Sequence, residues 1–176
     1  MLNEVNVLTK EHQFRPPTRE LEIVIGPIRF PEYLNRPQIV TRTTGNELQL
    51  SEFDRWAGSL KEDFNRNLAE NLSNLLKTDR IAIYPRRRLT KIDYQIELDI
   101  IRFDGILGQE VELKARWAIF RGESRTNYSV HMSNLKEATM GDDYDDLVTA
   151  LSKTVRALSL EISQVISELP WQVPVD

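Results

Sequence analysis

The chain has 176 residues, 40% of them hydrophobic and 28% charged, with seven Gly and eight Pro. That composition fits one globular domain built on one core, and excludes a collagenous, disordered or membrane-spanning chain. Its 27 acidic against 23 basic side chains leave a formal charge of −4, with no cationic field broad enough to hold nucleic acid. The absence of cysteine removes disulfide frameworks, thiolate nucleophiles, iron–sulfur clusters and cysteine zinc sites together.

Taken in chain order, Val5, Val7 and Thr9 alternate with polar neighbours and predict a strand over 3–9. Phe14-Arg15-Pro16-Pro17-Thr18 reads as a linker, so 3–19 form an N-terminal strand and connection within a single domain spanning 1–176. A second strand is predicted over 20–28, with Leu21, Ile23 and Ile25 on one face. Gly26-Pro27 and Phe30-Pro31 interrupt its ladder, since proline offers no N–H and restricts its predecessor. Gln38 to Thr43 is β-branched and reads as a strand; Thr44-Gly45-Asn46 turns it into Glu47 to Ser51, giving a hairpin.

Ser59 and Glu62 fit a capping box that opens a helix. Leu60, Phe64, Leu68, Leu72, Leu75 and Leu76 form its apolar stripe, ending near Thr78-Asp79. A short strand over Arg80 to Tyr84 precedes three strands of period two. Their apolar faces are read as Tyr94, Ile96, Leu98 and Ile100; Val111, Leu113, Ala115, Trp117 and Ile119; and Tyr128, Val130 and Met132. Asp104-Gly105 and Arg121-Gly122 are the expected turns of this antiparallel meander, and the change of phase between Ile100 and Ile101 predicts a bulge. The final element, over 142–169, is a helix stopped by Pro170. At about 1.5 Å per residue it is long enough to project or to line an interface. These elements give a mixed α/β fold in which a mixed sheet with an antiparallel meander is packed by two long helices.

The chemistry-bearing candidates are few. His12 and His131 sit in no metal-ligand spacing, and His131 is placed on the polar face of its strand. The scattered glycines make no phosphate loop or dinucleotide fingerprint, so no cofactor is expected. Asp142-Asp143-Tyr144-Asp145-Asp146 lacks the ligand pattern of a calcium loop and reads as acidic residues at a helix start, with Asp142 or Asp143 as N-cap. Arg86-Arg87-Arg88 reads as a solvated cationic loop, with an acidic partner or a lipid headgroup as the alternative. The densest stretch is Glu52-Phe53-Asp54-Arg55-Trp56-Ala57. Glu52 and Asp54 are the one pair of carboxylates that general acid/base chemistry would use, provided the segment is extended. The structural alternative sends Phe53 and Trp56 into the core while Asp54 pairs with Arg55 or caps a turn. A third reading makes the segment a partner surface, since Trp and Arg anchor interfaces.

Gly26-Pro27-Ile28, the run Pro31-Glu32-Tyr33-Leu34-Asn35-Arg36-Pro37-Gln38-Ile39-Val40-Thr41-Arg42, Asn46, and Glu52 to Ala57 together resemble the signature of the ABC-type transport auxiliary lipoproteins, the PqiC-like family. The likeness continues through Asn71-Leu72, Phe103-Asp104-Gly105, Leu113 to Trp117 and the Tyr144 helix. It implies a small mixed α/β fold similar to the N-terminal domain of the translocation protein TolB. It also implies an exported, acylated periplasmic subunit at the outer membrane, working with an MCE-domain protein and inner-membrane transporter components on phospholipid or related cargo. This sequence has no lipobox cysteine, and Met1 to Glu11 lack the features of a secretory signal. The anchor that the resemblance implies is therefore missing from the chain as written, and membrane attachment is expected only through it.

The expectation is a non-enzyme, with no catalytic or metal-ligating residue. Tyr33, Arg36, Gln38, Asp54, Arg55 and Trp56 are expected to form or buttress a surface that docks a transporter partner or another copy of the chain. The alternatives are an envelope hydrolase using Glu52 and Asp54 on a glycan, and direct lipid carriage in an apolar cavity.

Overall fold

The computed structural model describes residues 20–85, 92–122 and 126–169, with backbone alone for 126–128. The expected strand over 3–9, the proline linker and the Arg86-Arg87-Arg88 run lie outside the described residues. A five-stranded sheet runs in the order β4-β1-β5-β6-β7. Its members are β1 (Ile23–Arg29), β4 (Ile81–Ile83), β5 (Tyr94–Gly105), β6 (Glu110–Arg121) and β7 (Thr126–Ala138). β4, β1 and β5 are parallel, while β5, β6 and β7 form the expected antiparallel meander. A separate hairpin pairs β2 (Gln38–Arg42) with β3 (Leu48–Arg55).

Two helices cover one face of the sheet. α1 (Leu60–Leu76) starts where the sequence places it, with the Ser59 hydroxyl accepting the Glu62 N–H, and ends on Lys77 in the left-handed region. Its buried stripe is Leu60, Phe64, Leu68, Leu72 and Leu76; Leu75, expected in the stripe, is exposed. α2 (Tyr144–Glu168) is N-capped by Asp143. It lies against β6, β7 and α1 and buries Leu147, Leu151, Val155, Leu158, Ile162 and Ile166. Its length is therefore spent along the sheet and not on a projecting arm.

Local irregularities fall where backbone chemistry demands them. β1 continues through Gly26-Pro27, but its register with β5 shifts between Ile25 and Ile28. Gly26 has φ +113°, and a Cβ there would lie 3.0 Å from the Tyr84 Cβ, a conformation and a contact that glycine alone accepts cheaply. The predicted bulge in β5 exists between Ile100 and Arg102. It leaves Ile101 outside and returns Phe103 to the core.

Two readings of the meander are corrected. Asp104-Gly105 is not the turn: β5 runs through both residues, and the connection is 106–109, closed by the Ile106 N–H on the Glu110 carbonyl. Asp104 is fully buried. The dry face of β7 is also the opposite of the expected one. Val130 and Met132 are 54% and 57% exposed, while His131 pairs with Trp117 and Ser133 with Ala115. Trp117 decides the phase. Its indole stacks on His131 at 4.2 Å and donates its N–H to the Ser133 Oγ at 2.8 Å; Ser133 in turn donates to Glu161 of α2. A buried indole needs a hydrogen-bond acceptor, and Ser133 supplies it.

Candidate functional site

The signature residues gather at one end of the molecule, where Pro31–Arg42, β3 and the start of α1 meet. The first layer is a buried charge network. Asp104 accepts from the Tyr33 hydroxyl at 2.6 Å, from the Arg42 Nε at 2.8 Å and from the Arg102 Nε at 2.9 Å. Arg102 also donates to Glu112 at 2.5 Å. A buried carboxylate is tolerated when cations and hydrogen bonds satisfy it, and these three donors come from three segments: the 3-10 turn Glu32–Leu34, the hairpin and β5. The Arg42 guanidinium also lies over the Tyr33 ring, 5.6 Å from its centroid. Burial, reinforced by the Asp104 carboxylate, pushes the Tyr33 phenol up to about 12. Gly105 belongs to the same device: a Cβ there would stand 2.6 Å from the Glu110 carbonyl oxygen, too close for any side chain.

The six expected site residues separate into four settings. Gln38, Arg55 and Trp56 come together: Gln38 is the register partner of Arg55, and the Trp56 N–H donates to the Pro37 carbonyl at 2.8 Å; Arg36 lines the neighbouring cleft. Trp56 packs partly buried against the core, while Arg36 and Arg55 are exposed. Tyr33 turns inward to Asp104. Asp54 makes no ion pair with Arg55 among the described residues; its Oδ2 accepts from the Ser51 hydroxyl at 2.9 Å, and its own N–H donates to the same hydroxyl, a local contact over three residues. This contact sits in a register shift where the five-residue step from Leu50 to Arg55 faces the two-residue step from Val40 to Gln38.

Phe53 contradicts the expectation of core packing, because it is 88% exposed. Leu48 and Leu50 on the same strand are 44% and 43% exposed. β3 pairs with β2 alone in its two-stranded sheet, so among the described residues it offers three apolar side chains on an open strand edge. Glu52 and Asp54 lie exposed on this strand, and neither lines the adjacent cleft. That cleft, about 520 Å³, is bounded by 30–37 on one side and 58–61 on the other. Asp104, Arg102 and Lys61 are not singled out by the sequence pattern. The only signal for Asp104 was its place in the Phe103-Asp104-Gly105 motif, where it was read as a turn. Among the described residues no three His, Asp or Glu side chains converge to hold a metal, and no helix is long and apolar enough to cross a membrane.

Two solved structures share this architecture. One, an uncharacterised protein, superposes with a TM-score of 0.72 at 17% identity, over 84% of this chain and 94% of the other. The second, protein XCC0632 from Xanthomonas campestris, gives a TM-score of 0.69 at 16% identity, over 86% and 88%. At such identities the likeness establishes the fold. No protein of curated function matches the sequence. The family model for the ABC-type transport auxiliary lipoprotein component matches residues 7–163, a span containing the proline-bounded loop, the hairpin, the Asp104 network and most of α2, and the chain therefore belongs to that family.

Proposed function

We propose that the chain is a non-enzymatic auxiliary subunit of an ABC-type transport system, a lipoprotein domain facing the periplasm at the outer membrane. It works by docking an MCE-domain protein of the same lipid-transport system, which links it to the inner-membrane components, and by contacting further copies of itself. The docking end is the surface of Arg36, Gln38, Arg55 and Trp56 with the open edge of β3. Tyr33 buttresses it from beneath, and Asp54 fixes the bend of β3 through Ser51.

The observation that carries this reading is Phe53, 88% exposed beside Leu48 and Leu50. Exposed apolar side chains on a strand with one open edge mark contact sites. Family membership supports the transport role. The test is site-specific cross-linking of the full-length lipoprotein in its native envelope, with the photoreactive group near Gln38. Wild type should cross-link to the MCE-domain protein or to itself, and an Arg36→Glu/Arg55→Glu variant with an unchanged circular dichroism spectrum should lose those products. Unchanged cross-linking in that variant overturns the reading.

A further inference from the structure

The cleft beside the docking end has a chemistry of its own. It is lined by Phe30, Leu34 and Leu60 together with Glu32, Arg36 and Lys61, and Asn35 joins them at the rim. At about 520 Å³ it falls within the usual roughly 300–1,000 Å³ of ligand clefts. Its apolar wall is fixed: the Phe30 ring meets Phe64 edge-on at 5.2 Å, and Phe64 meets Phe103 the same way at 5.3 Å. Its cations are unspent. Arginines of the main sheet are matched, as Arg29 is to Asp99 and Arg102 to Glu112, whereas Arg36 and Lys61 make no ion pair among the described residues. The positive character comes from these side chains and not from the helix end, because Ser59 already caps it.

We infer that this cleft takes an acidic peptide segment of a partner protein, one in which a carboxylate side chain is followed by an apolar one. The inference rests on the docking reading and names what docks. Arg36 supplies a planar fork suited to bidentate contact with a carboxylate, and Lys61 a second point charge. Glu32 accepts a peptide N–H, and the Asn35 amide can donate or accept. The apolar neighbour covers Phe30 and Leu60. A membrane surface fits less well. Recognition of an anionic lipid surface takes a cluster of about four to eight Lys or Arg, and the lining of this cleft holds two, Arg36 and Lys61.

The probe is a fluorescein-labelled peptide of four Asp-Leu repeats, titrated with the protein by fluorescence anisotropy beside its Asn-Leu counterpart. Wild type should bind the acidic peptide at least tenfold more tightly than the amide peptide. Arg36→Glu/Lys61→Glu should abolish the difference, and the milder Arg36→Gln/Lys61→Gln should reduce it. Leu160→Ser, on the exposed side of α2, should leave it intact. Equal affinity for the two peptides, or undiminished binding by the doubly reversed variant, overturns the inference. So does sedimentation with phosphatidylglycerol vesicles that depends on the same two cations. If the peptide ignores the cleft while Arg36→Glu/Arg55→Glu still abolishes cross-linking, the acidic occupant falls and the docking reading stands.

Discussion

The helix-covered sheet and the β2–β3 hairpin are held by opposite means. In the meander, burial alternates with the strand period, and β5 and β6 together with α1 and α2 contribute a continuous apolar interior from Ile96 to Leu158. The hairpin buries Ile39 and Val40 from β2, while every residue of β3 except Ser51 is exposed. A two-stranded sheet is marginal by itself. Beyond Ile39 and Val40, which join the main core, it is attached through the charged network at Asp104, which ties Arg42 of β2 and the Tyr33 turn to the end of β5. One region is stable because it is dry; the other is positioned in part by a polar latch and leaves Leu48, Leu50 and Phe53 exposed.

The largest break in that comparison is Asp104→Ala. It strands two cations and a phenol beside a buried site, and losing one partner of a buried charge set costs about 3–5 kcal/mol. The loss should be uneven. Amide hydrogen exchange should rise most over 38–55, while Leu113 and Leu158 keep their protection. Uniform acceleration across the whole chain would mean that the hairpin is not separately latched.

A smaller effect comes from Tyr33→Phe, which removes the 2.6 Å hydrogen bond to Asp104 and should cost about 1.5–3 kcal/mol, as for hydrogen bonds to charged groups. Its pH dependence carries a sign. The native phenol titrates at about 12 and the unfolded one near about 10, so the fold favours the protonated form. That stability is complete below the unfolded value and is lost as pH rises through the window between the two. Tyr94 is also raised, chiefly by burial, and contributes with the same sign. The difference in urea midpoint between wild type and Tyr33→Phe should therefore shrink from pH 9 to pH 12, and a constant difference would remove Tyr33 from the latch.

How far these two regions are legible in the sequence follows the same division. α1, β5 and β6 are readable because each has one dry face, and its period appears in the residues: Phe64 to Leu72 on the helix, Tyr94 to Ile100 and Val111 to Ile119 on the strands. β7 defeats the same reasoning. Its apolar residues Val130 and Met132 have the right period but the wrong phase, which is set across the ladder by the needs of Trp117. Asp104 looks like a turn residue because Asp-Gly commonly is one; what holds it in a strand is its place opposite Glu112 in the β5–β6 ladder and its bonds to Tyr33 and Arg42, both distant in sequence. For the residues expected to dock, the sequence gives segments and not the orientation of side chains. Loop 31–37 and the strand 52–56 do meet through Gln38 and Arg55, but that Tyr33 faces inward and Phe53 outward depends on the latch, which periodicity does not encode.

The smallest stability effect is the sharpest test of the comparison. Phe53→Ser removes a large apolar side chain that is 88% exposed, so it deletes almost no burial. Surface changes of this kind stay within about 0.5 kcal/mol, and the urea midpoint should hardly move. In the assembled system the same change should act strongly, because a truncated aromatic anchor at the centre of an interface costs about 2 kcal/mol or more, a factor of roughly thirty in affinity. Cross-linking near Gln38 and the thermal midpoint, measured on the same preparation, separate the two contributions. A fall in both would assign Phe53 to the fold. A fall in cross-linking alone would show that the hairpin spends its aromatic residue on contact, whereas Phe64 and Phe103 are sealed in the core.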